Sequence, residues 1–253
     1  MLSVVIITLN EEAKIKDCLE SVAWADEIIV VDSFSKDSTV EIAGNYTDKI
    51  YQREFTGFGE QKNFALSKAS GDWILAIDAD ERVTSELQEE IKRTLVNPGA
   101  SGYYIPRKSY FSNKWIKHCG WWPDYLLRLF RKDCGRFSDR LVHEALEVEG
   151  PTGRLNNPLE HHPFFSVSDL IRKADRYSTL GAQVIIAESK DCSGKHKVSV
   201  LISFLHAWAK FFSMYFIKAG FLDGKEGFIL SVLSFYYTLI KYLKLWEKQR
   251  ERG

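Results

Sequence analysis

Three short apolar runs constrain the fold of this 253-residue chain more than any other feature of its sequence. They are SVVIIT (3–8), EIIVVD (27–32) and WILAID (73–78), each of strand length and rich in aliphatic residues. A strand buried on both faces reads as a continuous apolar run, whereas a half-exposed strand alternates between apolar and polar residues. The runs therefore predict a parallel central sheet that is covered on both faces.

Helical patterns separate these runs. Four apolar residues recur at helical spacing after the first run: Ile15, Cys18, Leu19 and Val22. Asn10 is expected to cap this helix, and Ser38 followed three residues later by Glu41 predicts a capping box for the next helix. Strands that alternate with helices in this way predict a Rossmann-like α/β domain.

The alternation continues through residue 97. A short strand is expected at 48–52, and a helix over 60–69 is expected to end at Gly71, because glycine is the usual residue after a helix. A further helix over 84–95 then precedes Asn97-Pro98-Gly99, which would stop it.

The composition excludes several classes of protein. Lys and Arg together number 34, as do Asp and Glu, so the net charge gives no reason to expect nucleic acid as a partner. The four cysteines lie far apart and form no C-x-x-C pair, which favours a reducing compartment over a disulfide framework. The N-terminus has neither a basic segment nor a cleavage site, so a signal peptide is not expected.

Polar residues follow each apolar run at the point where the strand ends. They are Thr8-Leu9-Asn10-Glu11, Asp32-Ser33-Phe34-Ser35 and Asp78-Ala79-Asp80. Ligands of open α/β sheets bind outside the carboxyl ends of the strands. The three clusters are therefore predicted to form one binding site at the same edge of the sheet.

The Asp78-Ala79-Asp80 cluster is unfavourable unless something neutralises it, because neighbouring carboxylates repel one another and resist burial. Carboxylate oxygens are ligands that Mg²⁺ and Mn²⁺ prefer, and such an ion also binds diphosphates and neutralises a departing phosphate. Lys62 and Asn63, on the preceding helix, are expected to meet a phosphate and to buttress a loop, respectively. The alternative is a solvated acidic turn, which is common at strand ends.

In combination, these residues resemble glycosyltransferase family 2. The resemblance rests on four motifs in a fixed order within residues 3–81: strand-T-x-N-E, V-V-D-S-x-S-x-D-x-T, K-N and D-A-D-E. It implies a GT-A fold, which is a Rossmann-like α/β fold with a mixed, mainly parallel sheet. It also implies an inverting transferase that uses a nucleotide diphospho-sugar and a divalent cation, Mg²⁺ or Mn²⁺.

The resemblance also assigns roles to individual residues. Asp32 would bind the base or ribose, Asp78 would contact the nucleotide, and Asp80 would be the metal ligand. The nucleotide-sugar site is expected to comprise Thr8, Asn10, Glu11, Asp32, Ser35, Lys62, Asn63, Asp78 and Arg128. The family usually has two acids at the position of Asp32, whereas Ser33 follows here, so base recognition is expected to differ in detail.

The second half of the chain resembles the lipopolysaccharide-core β-1,4-glucosyltransferases of the same family. The segments that carry this resemblance are WWPDYLLRLFRKDCGRF (121–137), LVHEAL (141–146) and the tail 215–247. It implies transfer of a sugar, with UDP-glucose as the expected donor, to a glycolipid or oligosaccharide acceptor of the lipopolysaccharide core or another envelope glycan. The alternatives are a family 2 transferase with another nucleotide sugar, and a catalytically silent sugar-binding relative. A nucleotidyltransferase is disfavoured, because that class would have a Gly-rich loop where TLNEEAKI (8–15) stands.

Two carboxylates of the second half are candidates for the general base that must take the proton of the acceptor hydroxyl. Glu144, in Val-His-Glu, is favoured, and its simpler role would be that of a solvent-facing strand acid. Three roles are open for His143: it would orient the base, contact a phosphate or point to the other face. Asp124, in Trp-Trp-Pro-Asp, is the other candidate, and its simpler role would be an ion pair with Arg128.

The adjacent pair His161-His162 contributes at most one side chain to the site, because neighbouring residues of a strand point to opposite faces.

Three regions are expected along the chain: a nucleotide-sugar-binding half (1–97), an acceptor-side half of the same domain (98–165) and a helical extension (166–253).

The segment 198–247 is dense in aromatic and aliphatic residues but is broken by lysines. Its longest uncharged run, 227–240, is too short to span a bilayer, whereas helices of this composition suit a membrane interface. The alternative is an apolar face that packs on the core or makes a homodimer. A cytoplasmic enzyme, peripheral on the inner face of the cytoplasmic membrane, is therefore expected.

Overall fold

The computed structural model describes residues 1–138, 145–164, 166–188 and 199–250. Those residues form two compact units. The first, which we call the sheet unit, comprises residues 1–108 and 123–163. The second, the helical unit, comprises residues 109–122 and 164–253. The hairpin 109–122 thus belongs with the C-terminal helices, although it lies within the expected acceptor-side half of the sequence.

The strands are β1 Leu2–Thr8, β2 Glu27–Asp32, β3 Ile50–Gln52, β4 Trp73–Asp78, β5 Glu81–Val83, β6 Gly102–Phe111, β7 Lys114–Trp115, β8 Asp124–Arg131, β9 Gly135–Phe137, β10 Leu146–Val148, β11 Thr152–Arg154 and β12 Leu159–Phe164. The α-helices are α1 Ile15–Val22, α2 Thr39–Ala43, α3 Phe58–Lys68, α4 Ser85–Val96, α5 Val167–Glu188, α6 Val200–Phe212 and α7 Gly224–Arg250. Residues Ser213–Ile217 form a π-helical turn, and Lys132–Cys134 and Gly220–Asp223 form 3₁₀ turns.

The main sheet is mixed, in the order β3-β2-β1-β4-β8-β6-β12-β5. The neighbours β3, β2, β1 and β4 run parallel, whereas β8 is antiparallel to β4 and β6 is antiparallel to β8. Thr8 lies opposite Asp32, and Ile7 lies opposite Asp78. This register confirms the predicted α/β architecture, and it brings the polar ends of the first three apolar runs to one edge of the sheet.

Both faces of the parallel strands are buried, as their continuous apolar runs predict. Alternate residues of β1 face opposite layers: Val4 and Ile6 pack with α1 and α4, and Val5 packs with α3. Full burial of one such aliphatic side chain contributes about 1.5–3 kcal/mol. The alternation therefore packs three helices against one strand.

Two helix-capping predictions are wrong. Ser38 makes no side-chain cap to α2, which is only five residues long, and the backbone N–H of Ser38 instead donates to Glu12 at 3.0 Å. Asn10 caps no helix, because its Oδ1 accepts a hydrogen bond from the backbone N–H of Lys36 at 2.7 Å. Contacts between two loops have replaced the local caps that the sequence suggested.

Gly71 does not end a helix either. Helix α3 ends at Lys68 and is followed by Ala69 in an extended conformation. A Cβ atom at Gly71 would lie 2.7 Å from Ser3 Oγ and 2.8 Å from the carbonyl oxygen of Met1. The glycine is therefore required by the close approach of the chain to the start of β1.

The helical unit is built from α5, α6 and α7 together with the hairpin 109–122. Asp223 is buried and joins the hairpin to the helices, because its carboxylate accepts from the backbone N–H groups of Lys117 (3.2 Å) and His118 (2.8 Å). The ring nitrogen Nδ1 of His118 lies 3.0 Å from the same carboxylate. Around this contact, apolar side chains form a small core: Phe111, Ile116, Cys119, Met214 and Leu230.

Helices α6 and α7 and the two turns between them leave many large apolar side chains exposed. Those that are at least two-fifths exposed are Val200, Leu201, Ile202, Phe204, Leu205, Trp208, Phe212, Phe216, Ile217, Phe221, Leu222, Phe228 and Val232. Two stretches, Val200–Ile217 and Gly220–Arg250, are by length and composition able to cross a membrane, although each is mostly exposed in the unit. The apolar stretches of this segment are therefore longer than the uncharged run 227–240 indicates.

Candidate active site

The loops after β1 and β2 are bonded to each other around Asp32. The Asp32 side chain is fully buried and accepts hydrogen bonds from the backbone N–H of Ser35 at 2.9 Å and from its hydroxyl at 2.5 Å. The Ser35 hydroxyl oxygen in turn accepts from the backbone N–H of Asn10 at 2.8 Å. Asp32, Ser35 and Asn10, all expected in the nucleotide-sugar site, thus form one linked set that shapes both loops.

A second set of contacts joins the same loops further along. The backbone N–H of Glu11 donates to Thr39 Oγ1 at 2.8 Å, and that of Glu12 donates to Asp37 at 3.2 Å. The Glu11 carboxylate pairs with Lys14 at 2.9 Å. The described contacts of Glu11 therefore organise the loop, and they leave its predicted ligand role as a prediction.

Thr8 ends β1 at the floor of this edge. Its hydroxyl oxygen is buried and has no hydrogen-bond partner among the described residues. A buried hydroxyl that stays unpaired costs roughly 1–3 kcal/mol. Thr8 Oγ1 is therefore suited to a ligand atom at this edge.

Asp78, at the end of β4, is held between two cations. Lys62 Nζ lies 3.0 Å from its Oδ1, and Arg128 Nη2 lies 2.7 Å from its Oδ2. Burial alone would raise the pKa of the Asp78 carboxyl, but Arg128 and then Lys62 outweigh burial and hold that pKa well below its usual range. Asp78 is therefore ionised at neutral pH and concentrates two positive groups at the end of the strand.

Glu81 is a site residue that the sequence analysis missed. Its side chain is fully buried, and its Oε1 accepts a hydrogen bond from Arg128 Nη2 at 2.6 Å. Its Oε2 accepts from the backbone N–H of Asp78 at 3.0 Å, and Arg107 Nη1 lies 3.6 Å from Oε1. Glu81 thus fixes both Arg128 and the end of β4. The sequence contains a signal for this residue, because Glu81 is the fourth residue of the D-A-D-E motif.

Asp80 lies beside one of the two adjacent histidines. Its Oδ2 is 3.6 Å from His161 Nε2, while Nε2 of His162 lies 3.7 Å from Glu160. The backbone N–H of His162 also donates to the carbonyl oxygen of Asp80 at 2.8 Å. Pairing of β12 with β5 places His161 opposite Glu81 and so brings the imidazole to the acidic turn.

The donor set at Asp80 fits a catalytic divalent cation better than a structural one. Among the described residues, no three His, Cys, Asp or Glu side chains converge as a metal cage. A cation that works with a diphosphate is held by one or two protein carboxylates and completes its coordination with water and phosphate oxygens. One carboxylate with an imidazole beside it, and an ionised Asp78 two residues away, meets that requirement.

Asp124, a candidate general base, is paired with Arg107 and not with Arg128 as its simpler role had suggested. The two residues lie directly opposite in the β6–β8 register, and Arg107 donates to Asp124 Oδ2 from Nε at 3.0 Å and from Nη2 at 2.7 Å. Arg128 is instead committed to Asp78 and Glu81. The other candidate, Glu144, and its neighbour His143 lie outside the described residues.

Asn63 has a structural role that its position on α3 explains. Its amide Nδ2 donates to the carbonyl oxygen of Phe137 at 2.8 Å, and its Oδ1 accepts from the backbone N–H of Phe137 at 2.9 Å. Both amide atoms therefore hold β9 against α3. This pairing agrees with the buttressing role, and the nucleotide-sugar contact of Asn63 stays a prediction.

Comparison with known proteins decides the class of this site. The family model described as glycosyl transferase family 2 matches residues 3–146, which is more than half of the chain. The chain belongs to glycosyltransferase family 2. This match confirms the resemblance drawn from the four motifs.

Two curated relatives match this family 2 glycosyltransferase over nearly their whole length. The lipopolysaccharide core biosynthesis glycosyltransferase LpsC of Rhizobium meliloti is 30% identical over 261 residues, which cover 98% of this chain and 92% of LpsC. An uncharacterized glycosyltransferase of Rickettsia felis is 30% identical over 263 residues, covering 97% of this chain and 89% of its own.

A solved structure supports the fold. TarS residues 1–349 of S. aureus, in complex with UDP-GlcNAc, aligns with a TM-score of 0.50 at 15% identity and covers 100% of this chain and 92% of that one. At this identity the likeness concerns the fold alone, and with the sheet order described above it confirms the GT-A architecture.

Proposed function

We propose that this family 2 enzyme is an inverting glycosyltransferase that transfers a sugar from a nucleotide diphosphate to a lipopolysaccharide-core or related envelope glycan. UDP-glucose is the expected donor. The observation that carries the proposal is the strand-end cluster in which Asp78 holds Lys62 and Arg128 within 3.0 Å of its carboxylate, with Asp80 and His161 beside it. The end-to-end similarity to LpsC supports the acceptor class.

The donor would lie along the edge formed by β1, β2 and β4. Thr8 Oγ1 and the linked loop of Asp32 and Ser35 face the nucleoside end in this proposal. Lys62 and Arg128 provide positive charge where the diphosphate leaves, and Asp78 keeps both side chains in place. Bound at Asp80, Mg²⁺ or Mn²⁺ would offset the negative charge that develops on the departing diphosphate.

Transfer with inversion requires in-line attack. The acceptor oxygen forms a bond to the anomeric carbon while the bond from that carbon to the diphosphate oxygen breaks, and a carboxylate takes the hydroxyl proton. We propose that Glu144 is the carboxylate that accepts this proton. Asp124 is the alternative base. Both hydrogen bonds from Arg107 fall on the same carboxylate oxygen, Oδ2, so neither of them occupies Oδ1.

Donor binding by calorimetry tests the proposal first. Purified protein is titrated with UDP-glucose, UDP-N-acetylglucosamine, UDP-galactose, GDP-mannose and a dTDP-sugar, each with and without Mn²⁺. We expect binding of one UDP-sugar that strengthens with the metal. Absence of binding to every donor would favour a catalytically silent relative.

We also propose that the helical unit attaches the enzyme to the inner face of the cytoplasmic membrane. The exposed apolar side chains of α6 and α7 support this, and Lys210, Lys218 and Lys225 are interspersed among them, as in helices that lie in an interface. Flotation with liposomes tests attachment, and carbonate extraction distinguishes a peripheral protein, which is released, from an integral one. A soluble dimer in light scattering, without flotation, would refute attachment and favour the dimer interface.

A further inference from the structure

A cavity lies inside the helical unit, between helices α5 and α7. Its volume is ≈ 290 Å³. On α5 it is lined by Leu170, Lys173, Ala174 and Tyr177, which share one helix face because they recur at positions i, i+3, i+4 and i+7. The α7 wall repeats this spacing with residues 230, 233, 234 and 237. Two matched helix faces therefore form the walls of this open cavity.

The cavity is held open by the contacts at its two ends. At one end, Leu170, Leu230 and Trp121 belong to the core that joins the hairpin to the helices. Beyond the other end, Lys244 Nζ donates to Asp175 Oδ1 at 2.6 Å and to Ser178 Oγ at 3.0 Å, which ties α7 to α5. The helices are thus fixed on both sides of a gap that their own side chains do not fill.

The lining has the chemistry of a site for an amphiphile. Leucine side chains from both helices, Ala174 and the Trp121 ring make an apolar body. Lys173, Tyr177 and Tyr237 also line the cavity and give it polar groups, and Lys173 Nζ lies 5.9 Å from the centre of the Tyr177 ring. Binding sites for small organic molecules are apolar cavities with a few polar groups that orient the ligand.

The charge of the unit selects an anionic occupant. The helical stretches 167–188 and 200–250 contain ten Lys and Arg residues against six Asp and Glu, an excess of four positive charges. Several of those acids are already paired: Asp175 with Lys244, Asp169 with Arg172, and Glu226 with Lys114.

We propose that this cavity binds the acyl chain of an anionic phospholipid drawn from the bilayer, with the phosphate beside Lys173 and the tyrosine hydroxyls. The chain occupies the apolar body, and the headgroup stays at the charged rim. This site rests on the membrane attachment proposed above and is independent of the sugar donor. It gives the enzyme a specific lipid contact in addition to its exposed apolar face.

The test uses the undivided 253-residue chain and dodecyl phosphate as a monomeric probe, with binding measured by calorimetry. Ser234→Phe fills the cavity, and Val232→Phe adds the same side chain at an exposed position of the same helix as its matched control. We expect Ser234→Phe to weaken binding by about tenfold or more, which corresponds to loss of roughly 1.4 kcal/mol. Val232→Phe should bind as the wild type does.

The headgroup is tested with a second pair. Lys173→Ala should weaken dodecyl phosphate binding by about fivefold, since one basic residue near an anionic lipid is worth roughly 1 kcal/mol. Arg172→Ala is the control, because that arginine is 76% exposed and lies on the same helix as Lys173 but does not line the cavity. Flotation on vesicles of phosphatidylglycerol and phosphatidylcholine, compared with phosphatidylcholine alone, should show the same order of variants.

Three outcomes would overturn the site: wild-type protein that does not bind dodecyl phosphate, equal binding by Ser234→Phe, or equally tight binding of the neutral dodecyl maltoside. Nucleotide-sugar binding is measured on the same samples. Retained donor binding in Ser234→Phe shows that the variant is folded. Donor binding that is absent from the wild type would refute the transferase proposal without affecting the lipid result.

Discussion

The buried carboxylate of Glu81 offers the sharpest test of how this site is assembled. Glu81→Gln keeps the shape of the side chain but removes its charge. Gln retains one oxygen acceptor, which can serve either Arg128 Nη2, now bonded at 2.6 Å, or the backbone N–H of Asp78, now bonded at 3.0 Å. The other donor then faces an amide N–H₂ group and loses its partner.

The magnitude follows from these contacts. Removing one partner of a buried ion pair outright costs roughly 3–5 kcal/mol. Arg128 keeps Asp78 at 2.7 Å, so the loss is closer to one hydrogen bond to a charged group, about 2–3 kcal/mol. The same loosening of Arg128 should weaken donor binding by about fivefold to tenfold, or roughly 1–1.4 kcal/mol.

Urea unfolding followed by circular dichroism measures the first effect, and calorimetry with the UDP-sugar measures the second. Glu89→Gln is the matched control. That acid lies on α4, is 62% exposed and pairs with Lys92, so the substitution should change stability by less than about 1 kcal/mol. A Glu81→Gln protein as stable as Glu89→Gln, with unchanged donor affinity, would refute the idea that Glu81 holds the arginine in place.

Three further outcomes are expected. Asp80→Ala should abolish metal-dependent turnover of the donor, and activity that survives this change would contradict the metal assignment. Glu144→Gln should retain donor binding but lose transfer, whereas full transfer by that variant would move the base to Asp124. Burial would raise the pKa of Glu27, but hydrogen bonds from Lys49 and other donors outweigh it and lower that pKa to about 2. The contribution of Glu27 to the free energy of unfolding should therefore be complete above about pH 4.5 and lost as the pH falls towards 2. Acid unfolding of Glu27→Gln, measured by circular dichroism, should lack this pH-dependent loss of stability.

The parallel part of the fold was predictable because one physical property dominates it. Continuous burial of β1, β2 and β4 leaves an unmistakable apolar run in each, and the structure has all three strands at the expected positions. Helix α4 is likewise found at Ser85–Val96, close to the predicted 84–95, and Thr84 caps it by accepting a hydrogen bond from the backbone N–H of Leu87 at 3.1 Å. Such features depend on neighbouring residues in the sequence, so the sequence displays them directly.

The parts that failed depend on contacts between distant residues. Ser38 and Asn10 have the sequence pattern of caps, but the loops that carry them bond to each other across 26 positions. Arg107 appeared unremarkable until the β6–β8 register placed it opposite Asp124. The role of Glu81 could not be predicted from its neighbours in the sequence, because its burial against Arg128 depends on a strand 47 residues away.

The contact of Asp223 with the hairpin 109–122 has a consequence for dividing this protein. The chain passes between the two units three times, after residues 108, 122 and 163, so no single cut separates them. Truncation after Pro163 would leave the hairpin behind without Asp223, and the backbone N–H groups of Lys117 and His118 would lose their acceptor. Phe111 and Ile116 would lose the Met214 and Leu230 side chains that cover them. Residues 109–122 and the C-terminal helices therefore have to be expressed and engineered together.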